Sequence, residues 1–151
     1  MFEKHLFAGW GDMDFNAHMR NTAYLDKSGD VRLMFFAEHG FPASEFARLR
    51  IGPVIMKDEL EYFREVRLLE PLRLTLSLAG QSEDGSRFHL RNEFYRSDGK
   101  LAARVTSIGG WLELSTRKLI APPVGLLEGM RSLQRTEDFQ ELASSLKPDA
   151  P

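Results

Sequence analysis

Leu72-Arg73-Leu74-Thr75-Leu76-Ser77-Leu78-Ala79 places an apolar side chain at every second position. Successive side chains of a strand point to opposite faces, so this period of two predicts a strand with one face in a core and the other toward water. The neighbouring segments repeat the pattern. Val54 to Val66 predicts a long strand, Arg87 to Arg96 turns Phe88, Leu90 and Phe94 to one side, and Leu101 to Leu114 predicts another. Asp84-Gly85 and Asp98-Gly99 fall between consecutive strands, where tolerance of positive φ suits tight hairpins. Gly109-Gly110, inside the last strand, marks a bulge or a close backbone approach. The four strands read as an antiparallel meander.

Upstream the period changes. From Asn21 or Thr22 to His39, the apolar residues Tyr24, Val31, Met34 and Phe35 fall at helical spacing, and Leu25 and Phe36 widen the stripe. A long, largely buried helix is predicted, stopped by Gly40 and Pro42, with one or two further turns over Ala43 to Arg50. Residues 4 to 10 predict a first strand, and after Pro122-Pro123 the chain reads as a helical tail to about Leu146, then a frayed end from Lys147 to Pro151. The helix needs cover on most sides. The compact solution is an α+β architecture, a five-stranded antiparallel sheet wrapped around one long central helix, with a C-terminal helical tail. At 151 residues and 42% hydrophobic content, the chain suffices for one core and is too short for two. One domain is expected over residues 1–151, with its core at about 4–121 and its tail at about 122–146.

Composition narrows the function. The formal charge is -2 and the 20 basic and 22 acidic residues are interleaved, so no block of charge attracts nucleic acid or an anionic membrane. With no Cys there is no thiol nucleophile, thiolate metal site or disulfide, and the cytoplasm is the expected location. Met1 leads into Phe2-Glu3-Lys4-His5 without a signal-like apolar run, and no stretch approaches the roughly 20 apolar residues of a membrane span. The four His, at 5, 18, 39 and 89, show no metal-ligand spacing, so neither a metal nor another cofactor is expected.

Chemistry concentrates where the first strand gives way to the helix. Trp10-Gly11-Asp12-Met13-Asp14-Phe15-Asn16-Ala17-His18-Met19-Arg20-Asn21-Thr22-Ala23-Tyr24 packs two carboxylates, a His and two Asn into this joint. A loop between regular elements holds polar groups on a rigid scaffold while leaving them reachable.

Asp12-Met13-Asp14, His18-Met19-Arg20-Asn21 and Tyr24 together resemble the D-x-D…G-H-V-N-N…Y signature of hot-dog-fold acyl-CoA thioesterases, specifically the 4-hydroxybenzoyl-CoA thioesterase family. Glu61-Tyr62-Phe63-Arg64-Glu65 is similar to that family's second-strand motif, Thr116-Arg117-Lys118 adds weaker support, and the resemblance covers roughly residues 4 to 123. The chain departs from the pattern at Ala17 for Gly, Met19 for Val and Arg20 for the first Asn, and it lacks the Pro after the second-strand Tyr.

The resemblance implies hydrolysis of an acyl-CoA to a free acid and CoA, with Asp14 in the catalytic position. A carboxylate there either attacks the thioester carbonyl, forming a mixed anhydride, or deprotonates water. His18 either orients Asp14, protonates the leaving thiolate or anchors the loop. At the helix start near Asn21, unpaired backbone N–H groups and the positive dipole end suit a developing oxyanion. Asp12 either holds the loop by Asx-type bonds or acts on Asp14 by like-charge proximity.

Tyr24 is a core residue or a contact to the acyl group, and Tyr62 belongs to the second-strand motif. Asp58 interrupts the apolar face of Val54, Met56, Leu60 and Tyr62, so it needs a partner or a wet site, and it is placed either at a strand twist or near the active site of a neighbouring subunit. Arg64, Arg67, Arg87 and Arg91 are candidates for the CoA phosphates. The expected catalytic set is Asp14, His18 and Asn21, and the expected substrate-binding set is Asp12, Tyr24, Asp58, Tyr62 and Arg64. Proteins of this kind pair sheets edge to edge, and an exposed sheet edge suits that pairing, so a homodimer or homotetramer is expected.

Two other readings compete. An enoyl-CoA hydratase on the same fold has an Asp, four residues and a His, whereas three residues separate Asp14 from His18. A non-catalytic acyl-ligand sensor or assembly partner would keep the fold without turnover.

Overall fold

The chain runs β1 (Phe2–Phe7), a 3-10 turn (Trp10–Asp12), α1 (Asn21–Glu38), α2 (Ala43–Leu49), β2 (Ile51–Tyr62) and β3 (Pro71–Ser82). It continues through β4 (Arg87–Arg96), β5 (Leu101–Glu113), β6 (Lys118–Ile120), α3 (Val124–Arg131) and β7 (Arg135–Leu142) in the computed structural model, which describes residues 1–146. The frayed end expected from Lys147 to Pro151 lies outside the described residues.

The period-two run becomes β3, with Leu72, Leu74, Leu76 and Leu78 all buried on the inner face. Beside it β4 buries Phe88, Leu90 and Phe94 in alternation. Gly85 and Gly99 take φ of 75° and 80° in the two hairpin turns, a region that costs a residue without Cβ nothing.

The sheet order is β1-β3-β4-β5-β2, with β6 added to β5 and β7 to β3. The sheet therefore has seven strands rather than five, and the four-strand meander expected from β2 onward shrinks to β3-β4-β5. β2 pairs antiparallel with β5, because residues 63–70 carry the chain across to the far side instead of closing a tight hairpin into β3. Two short strands fill edges that longer ones leave open. β1 covers β3 only from Pro71 to Leu76, and β7 takes the remaining edge, pairing in parallel with Leu78 and with Gly80 to Ser82.

The expected helical tail is thus corrected. It is helical only over Val124–Arg131, where Leu126 and Met130 are buried, and then extends as β7. Backbone hydrogen bonding along an unfilled edge outweighs the weak helical tendency of the charged segment that follows.

α1 packs against β1, β3 and β5, three strands spread across the sheet, so the sheet curves around it. Tyr24 meets Phe94 edge-on at 5.1 Å and Phe36 meets Trp111 at 5.5 Å. Each such fully buried ring contributes about 2 kcal/mol relative to exposure. Met34 departs from the expected stripe and is partly exposed, while Ser28 and Arg32 are buried instead.

At Gly109 the β2 backbone comes so close that an added Cβ would lie 2.4 Å from the Val54 carbonyl oxygen. The β2–β5 register shifts between Ile55 and Lys57 alongside, so the bulge and the close approach expected at Gly109-Gly110 occur together. Among the described residues no helix is long and apolar enough to cross a membrane.

Candidate active site

The loop from Met13 to Met19 closes on itself before α1 begins. Met13 and Met19 form an isolated antiparallel bridge, the Asp14 N–H donates to the His18 carbonyl at 3.0 Å, and the Ala17 N–H donates to the Asp14 carbonyl at 3.3 Å. Ala17 takes φ of 65°, the left-handed region favoured by glycine. Ala17 stands where the resembled pattern has Gly, and it carries a methyl group on this left-handed backbone. The Met19 N–H donates to the Val66 carbonyl at 2.7 Å, which seats the loop on the segment after β2.

Asp14 opens this turn. The Asn16 N–H donates to its Oδ1 at 2.9 Å, an Asx-type bond, while Oδ2 lies 3.6 Å from His18 Nδ1 and accepts no hydrogen bond among the described residues. His18 Nδ1 also lies 3.3 Å from the Met19 carbonyl oxygen. One carboxylate oxygen is thus held by the backbone and the other is available.

Asp12 has different work. Its Oδ2 accepts from the Gly9 N–H at 2.7 Å and pairs with Lys27 Nζ of α1 at 2.9 Å. Burial pushes its carboxyl up, but Lys27 and the Gly9 N–H outweigh that and hold it below its ordinary value. Asp12 does not line the pocket described below, and its bonds tie the 3-10 turn to the helix.

Arg20, at the position of the family's first Asn, does the same from the other side. Its guanidinium donates to the Gly11 carbonyl and, through Nε, to Thr22 Oγ1 at 3.0 Å, and it pairs with Asp26 at 3.3 Å.

α1 begins at Asn21, with Arg20 as a cap residue whose side chain makes no capping bond. Among the described residues the Asn21 N–H has no hydrogen-bond partner. A first-turn amide of an 18-residue helix, left free, sits at the positive end of the dipole.

Asp14, His18, Asn21, Tyr24, Tyr62 and Arg64 line one open pocket of about 400 Å³. Tyr24 and Tyr62 meet edge-on at 5.3 Å, and the Tyr62 hydroxyl donates to the Asn21 carbonyl at 3.0 Å, which holds the end of β2 against the start of the helix. Burial pushes the Tyr24 phenol up to about 12, so it stays neutral and serves as an aromatic wall. Arg64 Nη1 donates to the Leu101 carbonyl at 2.6 Å and has no carboxylate partner among the described residues.

The other expected members lie elsewhere. Asp58 accepts from Ser107 Oγ on the inner face of the sheet, outside this pocket. Arg91 forms two hydrogen bonds to Asp138, and Arg87 Nε donates to Ser145 Oγ, so both belong to the contacts with the C-terminal segment. Met19, Phe63 and Glu65 complete the lining, and sequence reasoning did not assign them to it. Phe63-Arg64-Glu65 follows the end of β2, and the second-strand motif that contains it was the available signal.

A larger cavity, about 630 Å³, lies on the outer sheet face beneath residues 134–138. Its Arg73, Arg91 and Arg104 are each paired with a carboxylate, and it holds none of the candidate catalytic residues.

Comparison with solved structures finds the same fold in proteins of low sequence identity. A hypothetical protein from Staphylococcus aureus, solved in complex with CoA, is 21% identical with a TM-score of 0.79, over 98% of this chain and 89% of that one. A gentisyl-coenzyme A thioesterase is 18% identical with a TM-score of 0.75, over 85% of this chain and 98% of that one. A 1,4-dihydroxy-2-naphthoyl-CoA thioesterase from Synechocystis is 13% identical with a TM-score of 0.78, over 87% and 96%. Comparison with curated proteins finds no match. The sequence profile of one family matches residues 8–137, a span that holds the Asp12–Tyr24 loop, α1 and the strands β2 to β6, and by that match the chain belongs to the thioesterase-like superfamily.

Proposed function

We propose that this protein is an acyl-CoA thioesterase of the 4-hydroxybenzoyl-CoA thioesterase type. The observation that carries the reading is the meeting of an available carboxylate oxygen, Asp14 Oδ2, with the free first-turn amide of α1 at one aromatic-walled pocket. In this reading the thioester carbonyl oxygen lies at the Asn21 N–H. Asp14 either takes a proton from a water that adds to the carbonyl carbon, or adds to that carbon itself. As the tetrahedral centre collapses, the C–S bond breaks and CoA leaves as a thiolate. By the first route the free acid forms directly, and by the second an acyl-Asp14 anhydride is then hydrolysed by water. His18 sits where it orients Asp14, Arg64 stands at the pocket wall for a CoA phosphate, and Asp12 and Arg20 keep the loop in register.

The chain acts as one domain in the cytoplasm and pairs with copies of itself through the free edge of β2, the twelve-residue strand that borders the pocket. Thiol release from an acyl-CoA panel tests the activity. Asp14→Asn is expected to lower kcat by about 10²–10⁴-fold, the range for loss of a positioned base, with an unchanged circular dichroism spectrum. A variant as fast as wild type would sink the assignment. Rapid-quench mass spectrometry separates the two routes, since only direct attack leaves an acyl mass on the Asp14 peptide.

A further inference from the structure

Along the β2 side of α1, Asn21, Leu25, Ser28 and Arg32 follow one another at intervals of four, three and four residues, which is one face of a helix. The Tyr62 hydroxyl donates to the Asn21 carbonyl, which holds the start of this helix beside the end of β2. On β2 itself Tyr62, Leu60 and Asp58 alternate along the inner face, opposite Ala103, Val105 and Ser107 of β5, and Asn92 of β4 stands opposite Val105. The row therefore begins at the pocket, passes Leu25 and Leu60, and ends among polar groups.

Arg32 is only 7% exposed. Its Nε donates to Asn92 Oδ1 at 2.9 Å, and Asn92 in turn donates to the Thr75 carbonyl, but Arg32 Nη2 has no hydrogen-bond partner among the described residues. Burial pulls the guanidinium down to about 10 and Asp58 opposes that, so Arg32 is a cation at neutral pH. A buried cation with an idle N–H is unfavourable until an acceptor reaches it. One turn before Arg32, the site where a Gly29 Cβ would sit has no heavy atom within 4 Å, and Asp58 is exposed, while Arg32 Nη2 itself is closed to solvent.

Resting on the thioesterase reading, we propose that Arg32 determines specificity by receiving the far end of the acyl group, and that this end carries a hydrogen-bond-accepting oxygen. Asn21 and Arg32 are separated by ~16 Å along the helix axis. Helical side chains lean toward the N-terminus, which brings the guanidinium to on the order of 10 Å from the Asn21 amide, the span of a medium-length acyl chain. Leu25 and Leu60 flank the middle of that path and suit methylenes, whereas Arg32 suits an oxygen. The oxygen is either a neutral carbonyl or a carboxylate, and Asp58 distinguishes them, because its charge disfavours a second anion beside it.

The test compares three acyl-CoAs of equal length: hexanoyl-CoA, 5-oxohexanoyl-CoA and adipyl-CoA. Wild type is expected to favour at least one oxygen-tipped substrate by tenfold or more in kcat/KM over hexanoyl-CoA. Arg32→Met should bring that ratio near one, and Arg32→Lys, which keeps the charge if Met disturbs folding, should retain part of it. If the tip is a carboxylate, Asp58→Asn should raise the adipyl ratio further while leaving the 5-oxohexanoyl ratio less changed. A wild type with no preference, or Arg32 variants that lower all three substrates equally, overturns the proposal. If no thioester is hydrolysed at all, the thioesterase reading fails by itself. Calorimetric titration with the three non-hydrolysable thioether analogues then decides the role of Arg32, with equal affinities refuting it.

Discussion

Gly109→Ala tests how tightly β2 is clamped to β5, and so how firmly the Tyr62 wall is held. The new Cβ would lie 2.4 Å from the Val54 carbonyl oxygen, 2.9 Å from the Phe88 ring and 3.0 Å from Ile55 Cδ1. Two of these neighbours are side chains, but the closest is backbone of the paired strand and cannot swing away. Relief requires β2 to move by roughly half an ångström or more beside its bulge. Overpacking of this kind costs about 1–3 kcal/mol, and loss of one ladder hydrogen bond adds about 1 kcal/mol. The total is about 3 kcal/mol, a large share of the about 5–15 kcal/mol that holds a typical domain together. For a chain of this size the melting temperature should fall by roughly 6–12 °C. Urea unfolding should show a lower midpoint with an unchanged slope, the mark of a native-state effect. A melting temperature within 2 °C of wild type would show that the two strands yield freely and would refute the close-packing argument.

Two further outcomes follow from the loop and from the carboxylates. Ala17→Gly relieves about 1 kcal/mol of left-handed strain but frees the unfolded chain by a similar amount. Chemical denaturation should therefore show a change under about 0.5 kcal/mol, and a loss of 1 kcal/mol or more would contradict a strained Ala17. In acid, hydrogen bonds from Thr116 hold Glu113 down to about 2, and Arg91 does the same for Asp138, also to about 2. Because both folded values lie below the ordinary ones, 4.5 and 3.8, their contribution is complete above those values and is lost as pH falls through them to about 2. Urea midpoints should be level near neutrality and drop below about pH 4, and Asp138→Asn should flatten that drop; an unaltered profile would remove Asp138 from the account.

Much of this architecture is legible in the residue pattern, and the exceptions have physical causes. The alternation of Leu72 to Leu78 and of Phe88 to Phe94 reports burial on one face, and the structure places both as strands of the curved sheet. The destination of β2 is not legible, because alternation fixes the face of a strand and not its neighbour. β7 is hidden because half of Arg135–Leu142 is charged, with Phe139 and Leu142 its only large apolar side chains. Its strand state comes from an edge vacated by a short β1, which is a tertiary fact. In the site, the loop was visible as a cluster of polar residues at a strand-to-helix joint. Arg32 was invisible for the opposite reason, since a cation within an apolar helix reads as solvent-facing until the sheet is placed over it.

The bonds that fasten the loop to α1 also bear on motion. Asp12 joins the 3-10 turn to Lys27, and Arg20 joins Gly11 to Thr22 and Asp26, so the chain on both sides of Asp14 is riveted to the first two turns of one helix. Asp14 and the Asn21 amide thus ride on a common body, and thermal fluctuation shifts them together rather than apart. The wall they face, from Tyr62 to Glu65, runs past the end of β2, and its aromatic rings are half in solvent. In the proposed reaction, breathing that admits a ligand or lets a product go belongs to that wall, with the Asp14–Asn21 geometry carried through it unaltered.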